Sequence, residues 1–592
     1  MAYPCPAGLL YVHDYNIICG GRESMWQSLR INMSDFTIVK EEFGDLYMGL
    51  GGRGLIAKLL TEEVDPKCDP LGEKNKLIFC TGIFAGLGLT CANRLSVGGK
   101  SPLTNGVKES NVGGTTGTYM ANLGIRMIII EGKPENQNGL WILRIDANGE
   151  PHLENAMEYA MVNNYELTKK LFERFGTNIS ITSIGSAGER QYRNSSIQCT
   201  ENGTGYPCRA AARGGLGAVM GSKRIKAVVI EKAAQRYKHE YKGDENTFAA
   251  LRKEINKQIA ETAKKSAISI VGTASIVDNT SRNGAMPVRN FSGEKFENAE
   301  KIGSSAFMDL ITKQGKNKHA CQPGCLVRCS NIINDTDGKY VTGGLEYETI
   351  ALFGPNCDVD NLETIAKMDR ACDDIGLDTI DTGAAFGVCM DAGVIKWGDV
   401  DAMMGLFQEI VKGTDFGRIL GDGCEATGRH LNWRRIPTCK NQAMSGYDPR
   451  AQRGTGTTYA TCTMGADHTA GYIRSTDRRE AFPVENVAEM SLDAQHKMGI
   501  RDSVICGFAF APLLAQMDVF VQMYASVYGG EPEVSRVLAL GTDTFRLERA
   551  FNTAAGWRPE DNKIPEFFYK EKNRVVDDVF DIPPERLQQF GL

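Results

Sequence analysis

The sequence is poor in histidine, has no long apolar run and carries no excess of positive charge. Its 592 residues include seven histidines and have a formal net charge of −6. Nucleic-acid-binding surfaces are normally basic, so this acidic balance argues against that class. A membrane-spanning helix needs about 18 uninterrupted apolar residues, and the best candidate, residues 504–515, is shorter and is followed by Asp518. We therefore expect neither nucleic-acid binding nor membrane insertion.

An export signal and disulfide bonds are not expected either. The first residues show no basic region followed by an apolar segment, which is the pattern of a secretory signal, and we predict a cytoplasmic location. The 17 cysteines would then lie in a reducing compartment. Cysteines there serve mostly as buried thiols or metal ligands.

What the chain does have is an ordinary globular composition with many glycines. Hydrophobic residues make up 42% and charged residues 24%, and many of the 65 glycines are clustered. A chain of this length forms several domains with a large core, and clustered glycines let the backbone approach a ligand closely. We expect residues 81–117, rich in Gly, Asn, Ser and Thr, to form loops around a ligand.

The order of sequence patterns predicts an α+β fold. Strands are expected at residues 77–79, 127–130, 179–184 and 227–230, which are rich in β-branched residues. Helical periodicity follows from about residue 242. We predict a β-rich domain over residues 1–235 and two mainly helical domains over 236–435 and 436–592. The short basic run at residues 223–226 is expected on a solvated helix face.

The strongest local motif is the cysteine cluster CQPGCLVRC at residues 321–329. Cys321, Cys325 and Cys329 can converge on one metal cluster, and three local cysteines with one distant cysteine form a common 4Fe–4S arrangement. Zinc, with His319 as a fourth ligand, is an alternative, although zinc sites usually use C-x-x-C spacing. Radical S-adenosylmethionine enzymes use C-x3-C-x2-C, in which the second gap is one residue shorter.

The run GLGGRG at residues 49–54 formally fits the pattern G-x-G-x-x-G. A dinucleotide site needs a strand before this pattern and an acidic residue about 20 residues after it. The preceding residues 41–45, EEFGD, are a poor central strand. We therefore interpret the motif as a glycine turn that opens a helix over residues 56–60.

Acidic residues and single polar residues give weaker signals. Glu346 and Glu348 follow the cysteine cluster, and residues 372–383 place four carboxylates in a turn between helices. Helix capping explains both patterns, although such acceptors also suit the N–H groups of a pterin. His468 lies in a glycine-rich loop and Cys506 between two helices, and each alone is more simply structural.

Taken together, these segments resemble the aldehyde:ferredoxin oxidoreductase family, whose enzymes carry tungsten or molybdenum. The resemblance covers essentially the whole chain and follows the order of the family. Beside the cysteine cluster, the matching segments are residues 49–54, 100–104, 184–189, 209–222, 346–348, 376–379, 447–450 and 548–552.

The resemblance implies a β-sandwich-like base domain that holds two pterin dithiolenes, covered by two helical domains. The residues implied for the first pterin and its phosphate are Arg94, Asn111, Gly113, Arg209, Ala210 and Arg213. Those implied for the second pterin are Asp373, Leu377 and Asp378, and Asp502 opens a further segment that matches a pterin-contacting segment of the family. Guanidinium groups clamp phosphate and glycine admits backbone donors, so the residue types suit these roles. A magnesium ion bridging the pterin phosphates is a further expectation.

The same resemblance implies the reaction and its residues. The 4Fe–4S ligands would be Cys321, Cys325, Cys329 and Cys506. An aldehyde and water would give a carboxylic acid, and electrons would pass singly through the cluster to ferredoxin or an iron–sulfur partner subunit. Glu348 would activate water, and His468 would polarise the carbonyl group. The dithiolenes supply the sulfur ligands of the metal, so no protein side chain need bind it.

The chain departs from the family in several places, two of them beside the predicted cluster ligands, and other functions stay open. The first cysteine gap has three residues instead of the commoner two, and the segment from Asp502 to Cys506 is one residue shorter than the family pattern. The same site could serve another two-electron step, such as reduction of an acyl- or aryl-CoA. An iron–sulfur electron-transfer subunit without pterin is a further alternative, against which Glu348, His468 and the arginines argue. A homo- or hetero-oligomer is compatible with each function.

Overall fold

Two six-stranded sheets form the first part of the chain in the computed structural model, which describes residues 26–473 and 483–589. Their strands are β1 (Gln27–Asn32), β2 (Thr37–Glu42), β3 (Leu77–Thr81), β4 (Leu95–Lys100), β5 (Val107–Val112), β6 (Ile125–Glu131), β7 (Trp141–Ile145), β8 (Pro151–Asn155), β9 (Ile179–Ser183), β10 (Ile197–Cys199), β11 (Arg209–Ala211) and β12 (Ile225–Glu231). The strand orders are β2-β1-β6-β3-β4-β5 and β11-β10-β9-β12-β7-β8. Each sheet has one parallel pair, β1–β6 and β7–β12.

The two sheets pack face to face through a shared apolar core. Phe79 and Ile128 of the first sheet belong to the same buried cluster as Leu143 and Val228 of the second. On its other face the first sheet buries Ile129 against helices. Strands covered on both faces appear as continuous apolar runs, which explains the sequence of β6. The β-sandwich-like base is thereby confirmed.

Most of the remaining chain is helical. The helices are α1 (Gly52–Glu63), α2 (Thr116–Asn122), α3 (Asn164–Phe175), α4 (Ser186–Glu189), α5 (Leu216–Ser222), α6 (Glu245–Lys265), α7 (Ala267–Ile270), α8 (Ile276–Arg282), α9 (Ser304–Gln314), α10 (Tyr347–Phe353), α11 (Leu362–Ile375), α12 (Thr379–Asp391), α13 (Val400–Lys412), α14 (Asp415–Gly421), α15 (Cys424–His430), α16 (Arg453–Thr461), α17 (Val487–Val504), α18 (Gly507–Leu514), α19 (Met517–Tyr528), α20 (Val534–Ala554), α21 (Phe567–Lys570) and α22 (Pro584–Gln588). Small sheets are formed by β13 (Gly315–His319), β14 (Ser330–Asn334) and β15 (Tyr340–Gly343), and by β16 (Thr438–Cys439) and β17 (Gln442–Ala443). The α+β fold is confirmed, whereas the domain boundaries at residues 235 and 435 stay predictions.

The last long helices close over the first sheet. Helix α1 packs on α17 and α20, and Val504 and Val537 share a buried core with Ile129. Arg53 in α1 donates to both carboxylate oxygens of Glu548 in α20 at 2.7 Å, and both side chains are buried. The glycine motif at residues 49–54 therefore opens a helix, as expected, and is tied to the segment at residues 548–552.

The expectation that residues 81–117 form only loops is wrong. The segment contains β4, β5 and the start of α2. Glycines there allow close packing as well as turns. A Cβ at Gly98 would lie within 2.4 Å of Ile56 Cγ2, and a Cβ at Gly99 would lie 2.6 Å from the carbonyl oxygen of Lys76.

The expectation of a solvated helix face at residues 223–226 is also wrong. Lys223 and Lys226 are buried, and the run crosses from the end of α5 into β12. Lys226 Nζ lies 2.5 Å from Glu189 Oε1, and Lys223 Nζ donates to the carbonyl oxygen of Gly132 at 2.8 Å. These acceptors compensate the cost of burying the two ammonium groups. The lysines in this run are therefore not evidence for an exposed surface.

Among the described residues, no single helix has both the length and the apolar character needed to cross a membrane. Helices α18 and α19 reach that length and composition only as a pair, with a bend of 103° between them.

Candidate active site

Glu348 and His468 meet at the centre of the candidate site. Glu348 lies in the first turn of α10, and His468 opens a short 3-10 turn whose N-cap is Asp467. His468 Nε2 and Glu348 Oε1 are 3.2 Å apart. The backbone N–H of Gly446 donates to Glu348 Oε2 at 2.6 Å. His468 Nδ1 is buried and has no hydrogen-bond partner among the described residues, so this nitrogen is available to a ligand.

Tyrosine rings surround this pair. The ring of Tyr447 has its centre 5.5 Å from that of His468, 5.2 Å from that of Tyr347 and 5.0 Å from that of Tyr472. Burial, and then the charge of Glu348, raise the pKa of Tyr447 well above its ordinary value, so this phenol stays neutral. The rings give the carboxylate–imidazole pair a low-polarity wall, in which electrostatic interactions are stronger than in water.

Buried ion pairs hold the turn that carries His468. Lys108 Nζ in β5 donates to Asp467 Oδ2 at 2.6 Å. Arg213 donates to the carbonyl oxygen of Ala466 at 2.6 Å and to Asp378 Oδ2 at 3.1 Å. Burial opposes ionisation of Asp467, but Lys108 and then Arg213 outweigh it and hold its pKa far below the usual range. The turn is thus fixed to both the base and the helical part.

The loop between α11 and α12 brings the predicted second-pterin residues against the base. Gly376 ends α11 in the left-handed conformation, with φ +84°, and Asp378 caps α12 by accepting from the N–H of Ile380 at 3.0 Å. Leu377 forms a β-bridge with Ser195. Burial, and then the neighbouring Asp369, raise the pKa of Asp373 well above its ordinary value. Capping therefore accounts for Asp378, while the same carboxylate also reaches Arg213.

The predicted first-pterin residues Arg94, Asn111 and Gly113 lie beside the cysteine cluster. Arg94 Nη2 donates to the carbonyl oxygen of Asn111 at 3.1 Å. A Cβ at Gly113 would lie 2.9 Å from Cys321 Sγ and 3.2 Å from Arg94 Nη1. Burial works against the charge of Arg94, yet the nearby thiols, Cys506 first, raise its pKa. Residues predicted to bind the first pterin therefore lie directly beside cysteines predicted to bind the iron–sulfur cluster.

Arg209 and Ala210 lie in β11, where Ala210 pairs with Gln198 of β10. Arg209 Nε donates to Glu201 Oε1 at 2.9 Å, and its Nη1 lies 3.4 Å from Glu346 Oε1. Gln198 Oε1 is buried without a hydrogen-bond partner among the described residues. Arg209 is therefore held by carboxylates on two sides, with an unsatisfied amide oxygen close by in the sheet.

Asp502 lies in the last turn of α17, close enough to the predicted first-pterin residue Arg94 for its charge to act on that guanidinium. It accepts from Arg501 Nε at 2.7 Å and lies 3.5 Å from Arg53 Nη1. These arginines already occupy its carboxylate. Asp502 contacts α1 and its own helix.

The four predicted cluster cysteines come from two parts of the chain. Cys321, Cys325 and Cys329 lie in the connection between β13 and β14, and Cys506 is the N-cap of α18. Burial, opposed by the nearby arginines and reinforced by Cys325 and Cys506, raises the pKa of Cys321 to about 12. Burial raises the pKa of Cys329 well above its usual value, and the other three thiols add to this. The four thiols are thus close enough for the other three to influence the pKa of Cys329.

The zinc alternative finds no support at these residues. Within residues 26–473 and 483–589, no three His, Cys, Asp or Glu side chains are arranged to hold a single metal ion. His319 Nε2 lies 3.1 Å from Glu201 Oε2.

The sequence interpretation missed two residues beside the site. Cys91 Sγ lies 3.5 Å from Cys325 Sγ, and this contact lowers the pKa of Cys325 to about 6. Glu109 in β5 is buried, with Oε1 lacking a partner among the described residues. A charged residue inside an otherwise buried strand could have indicated Glu109, whereas one cysteine among 17 gave no signal for Cys91.

Comparison with known proteins identifies the class and the family. The model of the aldehyde ferredoxin oxidoreductase N-terminal domain matches residues 28–232, and that of domains 2 and 3 matches residues 250–581. The chain is therefore an oxidoreductase. It belongs to the aldehyde ferredoxin oxidoreductase family, as the sequence resemblance indicated.

Several characterised relatives are similar over most of the chain. The chain is 29% identical over 573 residues to the tungsten-containing aldehyde ferredoxin oxidoreductase of Thermococcus kodakarensis, covering 92% of this chain and 91% of the relative. It is 30% identical over 574 residues to the enzyme of the same name from Pyrococcus horikoshii, with the same coverage. The WOR-like subunit of an aliphatic sulfonate oxidoreductase from Pyrococcus furiosus is 28% identical over 405 residues, covering 63% of this chain and 61% of the relative.

A solved structure shares the fold. A chain of the active-site complex BamBC of benzoyl coenzyme A reductase, in complex with 1,5-dienoyl-CoA, superposes with a TM-score of 0.80. The similarity covers 96% of this chain and 93% of that chain at 19% sequence identity. It supports the architecture of sheets and helices described above.

Proposed function

We propose that this oxidoreductase converts an aldehyde and water to a carboxylic acid at a tungsten or molybdenum ion held by two pterin dithiolenes. The observation that carries the proposal is the contact between Glu348 Oε1 and His468 Nε2 at 3.2 Å, with His468 Nδ1 unpartnered among the described residues. A general base and a hydrogen-bond donor are thereby held side by side, which water activation and carbonyl polarisation require.

The residues present fit a large polar cofactor. Some of the buried polar atoms that lack a partner among the described residues belong to segments next to the predicted pterin residues, namely Asn194, Ser195, Gln198 and Gln442. Each such atom costs about 1–3 kcal/mol when it stays unsatisfied, and a pterin edge or phosphate would satisfy them. Arg94, Arg209 and Arg213 would hold the phosphates of the bound cofactor. Relatives whose names include tungsten support this cofactor.

The bound metal would supply the two-electron oxidation, and the chain would manage the protons. RCHO and H2O give RCOOH, two protons and two electrons, and Glu348 would take one proton from the water. His468, when protonated on both ring nitrogens, would donate from Nε2 toward Glu348 Oε1 and from Nδ1 toward the substrate carbonyl oxygen. The tyrosine wall would keep bulk water away from both groups.

The cysteines would carry the electrons away. We assign a 4Fe–4S cluster to Cys321, Cys325, Cys329 and Cys506, which would pass electrons singly to ferredoxin or an iron–sulfur partner subunit. Arg94 would be in reach of both groups when they are bound, since it contacts the predicted pterin residue Asn111 and is influenced by the thiols. A magnesium ion between the pterin phosphates belongs to the same proposal.

A second candidate is reduction of an aryl- or acyl-CoA at the same site. The rings of Tyr447 and Tyr472, centred 5.5 Å and 6.3 Å from that of His468, favour a flat aromatic group as substrate. Aromatic aldehydes and aryl-CoA esters should therefore be assayed in parallel.

Elemental analysis of anaerobically purified protein tests the cofactors first. We expect about one tungsten or molybdenum and about four irons per chain, as one pterin-bound metal and one cluster require. Magnesium is measured in the same sample. Iron without either heavy metal, in protein from a host that supplies the cofactor, would point to the electron-transfer subunit instead.

The variant Glu348→Gln tests the base. It keeps the side-chain shape but cannot accept a proton, so we expect metals to stay bound and aldehyde turnover with a low-potential acceptor to fall by about 10²-fold or more. The matched control is Glu363→Gln, an exposed glutamate in the first turn of α11. Turnover of Glu348→Gln at the wild-type rate would exclude Glu348 as the base. If the wild-type enzyme converts CoA esters and no aldehyde, the proposed substrate is a CoA ester.

A further inference from the structure

A fifth thiol lies against the cysteine cluster. Cys91 Sγ is 3.5 Å from Cys325 Sγ, and Cys91 is buried. Its position between β3 and β4 places it on the base, whereas Cys325 lies in the connection between β13 and β14. Cys91 belongs neither to the proposed ligands nor to the proposed catalytic pair.

The backbone holds Cys91 in this place. Its φ is +62°, a left-handed conformation that residues other than glycine rarely adopt and that is found where surrounding contacts enforce it. Its carbonyl oxygen accepts from the N–H of Cys506 at 3.0 Å. One residue therefore touches both the cysteine cluster and the remote cysteine.

The neighbouring Thr90 fastens the chain on both sides of Cys325. Thr90 Oγ1 donates to the carbonyl oxygen of Gly324 at 2.8 Å and accepts from the N–H of Leu326 at 3.0 Å. These bonds, with the one to Cys506, fix the main chain on both sides of the contact between the two sulfur atoms. The contact therefore rests on the backbone as well as on the rotamers of the two thiols.

We infer that Cys91 donates an S–H hydrogen bond to Cys325 Sγ when Cys325 ligates the 4Fe–4S cluster, and thereby raises the reduction potential of the cluster. The inference rests on the proposed function, which supplies the cluster. A ligating Cys325 is a thiolate without a proton, so the only S–H between the two sulfurs belongs to Cys91. Thr90 Oγ1, which lies 3.4 Å from Cys91 Sγ, is a second acceptor, but a charged thiolate accepts a hydrogen bond more strongly than a neutral hydroxyl. Hydrogen bonds to ligand sulfurs stabilise the added electron and tune cluster potentials. Cys91 is therefore a positioning and tuning residue.

Redox titration followed by electron paramagnetic resonance of the reduced cluster tests this role. For Cys91→Ala we expect full iron content and a shift of the potential to more negative values, outside the spread of repeated wild-type titrations. Cys91→Ser keeps a donor, so its potential should stay closer to that of the wild type. The matched control is Cys389→Ala, which removes a buried thiol in α12 and should leave the potential unchanged.

The outcomes separate this inference from the function on which it rests. Wild-type protein without iron would overturn both. A wild-type cluster whose potential is the same in Cys91→Ala would overturn the tuning role alone and leave the proposed function intact. If Cys91→Ala loses its iron, Cys91→Ser decides: a cluster of near-wild-type potential supports the donor role, and a cluster that is lost or strongly shifted overturns it.

Discussion

Glu109 is a buried carboxylate near the candidate site, and its Oε1 has no hydrogen-bond partner among the described residues. The charged groups that face it are Arg53 of α1, Lys108 of its own strand and Asp502 of α17. Burial, and then the charge of Asp502, raise its pKa from 4.5 to about 8. The folded protein therefore keeps a proton on Glu109 at neutral pH, whereas the unfolded chain releases it.

This difference predicts how stability depends on pH. Between pH 4.5 and about 8 the folded state binds more protons at Glu109 than the unfolded state, so stability falls as pH rises through this window. The variant Glu109→Gln removes the titration, and we expect its Tm to vary less between pH 5 and 8. Thermal unfolding of Glu166→Gln, an exposed position in α3, is the control. An unchanged pH profile in Glu109→Gln would show that Glu109 does not titrate in this window.

Single residues also mark the limit of prediction from sequence. Glu348 and His468 each had a simple structural explanation, and only the family resemblance joined them before the structure placed them 3.2 Å apart. Cys91 had no pattern of its own, because its importance comes from a through-space contact with Cys325. Spacing along the chain cannot report such contacts.

At the scale of elements, Gly113 sets how closely the chain after β5 approaches the cysteine cluster. A Cβ there would lie 2.9 Å from Cys321 Sγ. For Gly113→Ala we expect Cys321 to be displaced, at a cost of about 1–3 kcal/mol, and iron content per chain to fall. Gly405→Ala in α13 is the control, because nothing lies within 4 Å of its added Cβ. Full iron content in Gly113→Ala would show that the chain after β5 can move enough to accommodate the added methyl group.

Elements were predicted well where one physical signal dominated. The apolar runs at residues 127–130 and 227–230 lie in β6 and β12, and the glycine turn at residues 49–54 opens α1. The wrong predictions concern segments whose composition is compatible with two different structures. Glycines between residues 81 and 117 partly serve close strand packing, and the lysines at 223 and 226 are buried against acceptors.

At the scale of the whole molecule, the pair Arg53–Glu548 joins the base to the last long helix. The variant Arg53→Met leaves Glu548 buried and unpaired, which typically costs about 3–5 kcal/mol, so we expect a marked fall in Tm by calorimetry. The double variant Arg53→Met with Glu548→Leu should recover part of the loss. Arg429→Met, in an exposed pair with Glu425, should change Tm little. Equal effects of Arg53→Met and Arg429→Met would contradict this role.

The pairing of Arg53 with Glu548 also bears on how the protein is made. The two residues are 495 positions apart, and a ribosome adds about 5–20 residues per second. Roughly 25–100 s would therefore pass between the synthesis of Arg53 and that of Glu548, and during this time α17 and α20 would still be missing from the outer face of the first sheet. During that interval the nascent base exposes apolar surface and an unpaired cation, which makes it a natural client for chaperones, and cofactors can be enclosed only after synthesis is nearly finished.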